Sequence, residues 1–310
     1  MSVRAGLWLY ASLALIGVTC ALAAAGLSID FASSGMRGVL MASVILLALR
    51  RDRIDNMVLR TLTDIMECLG LLSLLSLLGA LASYAVAATT TGYVDHLLAA
   101  IDASLGFDWV AFYRFFAHNP AVAHLAILAY SNIFYSPAVI LVALVVTGRR
   151  DRAHIFLMAY AIALTATVAA FALFPAQGAL LYYIGWKPDF MPAIGLDHVM
   201  VIANLRSGAM TVINPATLSG LISFPSFHAA AALLFIWAAW PLKLLRWPMV
   251  AINVAMLFAT PVHGCHYLID VIGGLMIAGL SIAALRLPIM AILRGDVPRL
   301  APKLALAKLG

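Results

Sequence analysis

Two short stretches hold residues able to move a proton or attack an electrophile: Ser223-Phe-Pro-Ser-Phe-His228 and Thr260-Pro-Val-His-Gly-Cys-His-Tyr-Leu-Ile-Asp270. Each sets histidine at the end of a long apolar run, where an ionisable group is costly and marks function by default. His266 and Asp270 are four residues apart. A helix running from Tyr267 onward therefore puts carboxylate and imidazole on one face, roughly 5–6 Å between Cβ atoms. A carboxylate held at one ring nitrogen fixes the tautomer and raises the basicity of the other, which turns a histidine into a nucleophile or base. His228 supplies a second titrating group. His263, three residues before His266, also allows the trio with Asp270 to be drawn as a metal site.

The elements that must position these residues are membrane helices. With 65% hydrophobic residues, 10% charged residues and a mean hydropathy of +1.04 over 310 positions, the chain is too apolar for a soluble domain. The sequence predicts an all-α polytopic bundle of about eight transmembrane helices. Cys20, Cys68 and Cys265 are widely spaced and form no Cys-x-x-Cys pair, so they read as free thiols.

Apolar runs predict spans over about residues 7–27, 33–49, 62–89, 120–147, 153–174, 225–240, 247–262 and 268–286. Ala21-Leu-Ala23 resembles a signal cleavage site, but the run containing it is long enough to span and is read as retained. Asn119-Pro120 reads as a helix start and Pro137 as a kink. Residues 90–119 interleave Asp95, Asp102, Asp108 and Arg114 with Trp109, Phe112, Tyr113 and Phe115, a mixture suited to interfacial helices on the outer face. They are expected to form a structural collar rather than a substrate entry. Residues 175–222, rich in Pro, Gly and Asn, are expected to be the longest non-helical region. Residues 1–61 then hold two extra spans and a basic loop, 62–286 a six-helix core, and 287–310 a basic tail.

Eight spans place fifteen of the nineteen lysines and arginines on one side, leaving Arg37, Arg114, Lys187 and Arg206 on the other. By the positive-inside rule the richer side is cytoplasmic. Both termini are expected there, in a cell (inner) membrane, with both motifs open to the periplasm or exterior. Asp64 and Glu67 are expected to pair with the nearby basic loop rather than form a proton path.

Pro225-Ser-Phe-His228 and His266-Tyr-Leu-Ile-Asp270 resemble the Pro-Ser-Gly-His and His-x-x-x-Asp elements of the type-2 phosphatidic acid phosphatase superfamily. The likeness is nearer to the branch of inositol phosphorylceramide synthases and related bacterial membrane phosphatases, and it covers about residues 62–286. It implies a metal-independent enzyme without cofactor: His266 attacks phosphorus, Asp270 orients it, and His228 protonates the leaving oxygen. The superfamily's fuller pattern also has a Lys with a later Arg-Pro at the exit of the fifth span, where Phe174-Pro-Ala-Gln-Gly178 stands here. Its arginine before the second motif is Thr260. Both missing elements supply cations to phosphate.

Few outer cations remain to replace them. Arg206 is the first candidate, since its planar fork suits bidentate phosphate recognition, and Lys187 the second. Pro225 suits a first helical turn, which would leave the N–H groups of Ser226, Phe227 and His228 facing an anion. Gln177 and the pair Tyr182-Tyr183 are candidates for the head-group pocket. The implied function is a lipid phosphatase acting on a membrane lipid phosphate at the outer face; a phosphotransferase to a lipid or glycan hydroxyl is the alternative. A proton-coupled transporter or lipid carrier, using the histidines as a relay, is a reading of another class. No nucleic-acid partner is expected; the net charge of +6 follows topology.

Overall fold

The computed structural model describes residues 2–32 and 55–294. The expected second span, 33–49, and most of the basic tail lie outside the described residues. Long helices dominate: α1 (Val3–Ala24), α2 (Met57–Thr89), α3 (Asp95–Ser104), α4 (Trp109–His118), α5 (Pro120–Ser131), α6 (Ser136–Val146), α7 (Arg150–Leu173), α8 (Ala179–Tyr183), α9 (Asp197–Arg206), α10 (Phe227–Ala239), α11 (Arg246–His263) and α12 (Leu268–Arg294). Two-residue strands β1 (Ser28–Ile29) and β2 (Val212–Ile213) pair in parallel and tie the exit of α1 to the segment before α10.

The chain is thus an all-α helical bundle. Among the described residues α1, α2, α7 and Leu268–Leu285 of α12 are long and apolar enough to cross a membrane, and α5 with α6 makes a fifth if the bent pair is one span. Exposed Leu13, Ile16, Leu125, Leu128 and Leu280 give the outside of the bundle an apolar coat suited to lipid. The 49° bend falls at Tyr135, between the 3₁₀ turn Asn132–Phe134 that ends α5 and the start of α6, just before the expected kink at Pro137. Asn56 starts α2 by accepting from the N–H groups of Val58 and Leu59, which satisfies two donors that a helix start leaves free.

Helix α10 is the centre of the packing. Eight of its thirteen residues are buried, six of the eight being alanine, and α7, α11 and α12 close around it. Small side chains allow that approach, as in other membrane bundles. Gly274 of α12 sits so close to the first motif that a Cβ there would lie 2.1 Å from the Ser226 carbonyl oxygen. Leu164 of α7 likewise fills the space over Gly79 of α2.

Charge is buried at the end of the bundle remote from both motifs. Glu67 accepts from Arg4 Nε (2.6 Å), Trp8 Nε1 (2.9 Å) and Arg150 (2.9 Å), while Asp64 pairs with Arg150 at 3.0 Å. The acidic pair therefore joins α1, α2 and α7, with partners from the N-terminus and the second basic loop. Helix α7 has 24 residues, so at 1.5 Å per residue its other end lies about 36 Å away. That other end carries Phe174-Pro-Ala-Gln-Gly178 and meets the site. Residues 175–222 are more helical than expected: α9 buries His198, Val199, Ile202 and Leu205, an amphipathic spacing hidden among turn-forming residues.

Candidate functional site

The second motif begins where α11 ends. A Cβ on Gly264 would meet His266 Cδ2 at 2.5 Å and the Thr260 carbonyl oxygen at 2.9 Å, so the imidazole lies over a position that only glycine fits. Cys265 turns the chain with φ of 56°, a left-handed conformation that non-glycine residues adopt at a cost. Its carbonyl accepts from Ala179 N–H (2.8 Å) and so anchors the loop after α7.

Helix α12 then starts at Leu268, where the predicted eighth span begins. Asp270 Oδ2 reaches back to the Tyr267 N–H at 3.0 Å and receives His266 Nδ1 at 3.2 Å. The expected pairing of His266 with Asp270 is thus present, and the carboxylate doubles as a helix cap. With Nδ1 committed to the carboxylate, Nε2 is the ring nitrogen left for a further partner.

The first motif is bolted to the second by two hydrogen bonds. Ser223 Oγ donates to Asp270 Oδ2 at 3.0 Å, and Ser226 N–H donates to the Asp270 carbonyl at 2.9 Å. Ser226 is the cap of α10, its Oγ accepting from Ala229 N–H, so Pro225 stands outside the first turn. Of the three N–H groups expected to face an anion, that of Ser226 is thus spent on Asp270. Phe227 packs edge-on against Tyr160, with centroids 5.1 Å apart. His228 stacks on Tyr130 with centroids 4.0 Å apart at 12°, and its Nε2 has no hydrogen-bond partner among the described residues. His266 lies within charge-interaction reach of His228 and of His198 on α9.

Helices α3 and α4 form the collar, and they do more than cover. Asp102 accepts from Leu268 N–H (2.7 Å) and Ile269 N–H (2.9 Å), capping α12 from outside. Burial raises the proton affinity of the Asp102 carboxyl, and these two N–H groups oppose that rise. Asp95 accepts from Gln177 N–H, Gly178 N–H and Tyr267 Oη. Trp109 Nε1 donates to the His266 carbonyl at 2.9 Å. Three collar side chains thus fix the backbone on either side of His266.

Asp102→Ala leaves two N–H groups unpartnered beside His266. Losing such a cap costs about 1–2 kcal/mol. The expected result is a lowered Tm in detergent and a fall in kcat with KM little changed.

A cavity of about 750 Å³ runs between α2, the bent pair and α7. Leu72, Leu77, Ile133 and Leu164 line its apolar length, and Ser223, His228, Gly264 and His198 its polar end. The size suits a small-molecule or lipid site.

The other sequence candidates stand elsewhere. Arg206 donates to Thr90 Oγ1 (3.1 Å) and the Gly92 carbonyl (3.3 Å), and stacks over Tyr93 at 4.3 Å. It fastens the collar's entry instead of facing the histidines. Lys187 is exposed. Gln177 contributes its backbone, to Asp95 and to His198. His263 turns from the site, its Nδ1 accepting from Ala193 N–H at 3.3 Å, and among the described residues no three His, Cys, Asp or Glu groups gather as a metal site.

Sequence reading gave no role to Ser223, Tyr130, Asp102 or His198. Ser223 opens the first motif, and Asp95 and Asp102 are seven residues apart in an apolar setting, so one helix face carrying two acids was the available signal.

A family model described as the PAP2 superfamily matches residues 96–284, more than half of the chain. No curated protein and no solved structure matches it.

Proposed function

The chain belongs to the PAP2 superfamily, a phosphatase and phosphotransferase class, and on that premise we propose that it is a multi-pass membrane lipid phosphatase working through a phosphohistidine at the outer face. One observation carries the reading: the His266–Asp270 pair is hydrogen-bonded through Ser223 to the first motif, whose Ser223 and His228 line the polar end of a long apolar cavity. Such a cavity accepts a lipid chain while its end receives the head group.

His266 Nε2 attacks phosphorus in line, and the bond to the lipid oxygen breaks. His228 gives that oxygen its proton. The neutral His228 then takes a proton from water, which attacks phosphorus, breaks the P–N bond and releases inorganic phosphate. Asp270 stabilises the positive charge that His266 gains on phosphorylation. Stacking on Tyr130 holds the His228 ring in one plane throughout.

Purified protein in detergent with EDTA should release inorganic phosphate from one or more of a panel of lipid phosphates, and His266→Ala should not. Absence of release, with head-group transfer once ceramide, diacylglycerol or a glycan is added, would replace hydrolysis by transfer.

A further inference from the structure

Phosphate in this site lacks the cations of the fuller family pattern, and the first candidate to replace them, Arg206, is held by Thr90, Gly92 and Tyr93. What stands at the corresponding place is the turn after α7, and one buried side chain docks on it. His198 of α9 is 5% exposed and its Nε2 lies 2.7 Å from the Gln177 carbonyl oxygen.

That contact decides the tautomer. A carbonyl only accepts, so Nε2 carries the hydrogen and Nδ1 of the neutral ring is a bare acceptor. Nδ1 is buried and has no partner among the described residues, on a side chain that lines the cavity's polar end. An orphaned buried acceptor costs free energy unless a ligand meets it.

We propose that His198 is a phosphate-binding residue, with Nδ1 accepting the P–O–H hydrogen of a phosphate monoester monoanion bound at His266. The proposal rests on the phosphatase reading. A phosphate ester has a second pKa of about 6 and so keeps that hydrogen in part at neutral pH. No proton is transferred. His266 acts on His198 from the second motif, Asp95 from α3 and Asp197 from its own helix. Burial is the main influence on His198 and favours the uncharged ring, which leaves Nδ1 free to accept. A neutral group suits a site where a fixed cation would be costly to bury.

Two substitutions separate binding from propping. The amide of Gln reaches the place of Nε2 and can keep the contact to Gln177, leaving the place of Nδ1 empty. The shorter amide of Asn falls near Nδ1 and can bond phosphate, abandoning Gln177. We expect His198→Gln to raise KM for a short-chain lipid phosphate, and the inhibition constant of inorganic phosphate, about tenfold, the worth of one good hydrogen bond. The same variant should keep kcat within about threefold, and His198→Asn should keep most of the affinity. Wild-type affinity in His198→Gln, or His198→Asn no better than His198→Gln, overturns the proposal. Wild type that neither releases phosphate nor is inhibited by it refutes the phosphatase reading itself, and the inference with it.

Discussion

His266→Ala removes turnover, with kcat falling by roughly 10⁴-fold or more, as expected when a covalent nucleophile is deleted. Its Nδ1 is occupied by Asp270 Oδ2 at 3.2 Å, so one nitrogen is left for phosphorus. His228 cannot substitute for it: that ring lies flat on Tyr130 and starts a different helix. The variant should nevertheless fold. The helix start after it is capped by Asp102 and Asp270 through Leu268, Ile269 and Tyr267, none of which needs the imidazole. An unchanged Tm beside lost phosphate release is therefore the result to look for.

Asp270→Asn is expected to cost up to roughly 10⁴-fold in kcat, the loss found when an orienting carboxylate beside a catalytic histidine becomes an amide. Oδ2 accepts from three donors: His266 Nδ1, Tyr267 N–H and Ser223 Oγ. An amide oxygen placed there keeps the hydrogen bonds and loses the charge. An amide nitrogen placed there opposes all three donors. In both cases the cation formed on His266 loses its counter-charge, and KM should change far less than kcat. A loss of binding with kcat preserved would assign Asp270 to substrate recognition.

The parts of the site written in contiguous sequence were legible. His266 and Asp270 share a helix turn, and their spacing alone put them together. Composition was enough for an all-α membrane bundle. Long-range contacts were harder, because a carboxylate that caps a helix over 160 residues away leaves no periodic trace. Asp102 looked interfacial and is buried under the backbone of Leu268 and Ile269. Arg206 was chosen for its charge and outer position, yet charge does not say which way a side chain turns, and Thr90, Gly92 and Tyr93 take it. His198 was passed over because a histidine in a segment read as loop is unremarked until its partner, the Gln177 carbonyl, is seen. Pro225 was given to the helix by its residue type, whereas Ser226 does the capping.

The account stands on a covalent phosphoryl–histidine. Wild type mixed with lipid carrying labelled phosphate, quenched in alkali within milliseconds and digested, should yield a base-stable, acid-labile label on the peptide containing His266. His266→Ala should yield none. Label on another residue, or rapid phosphate release by His266→Ala, would contradict it.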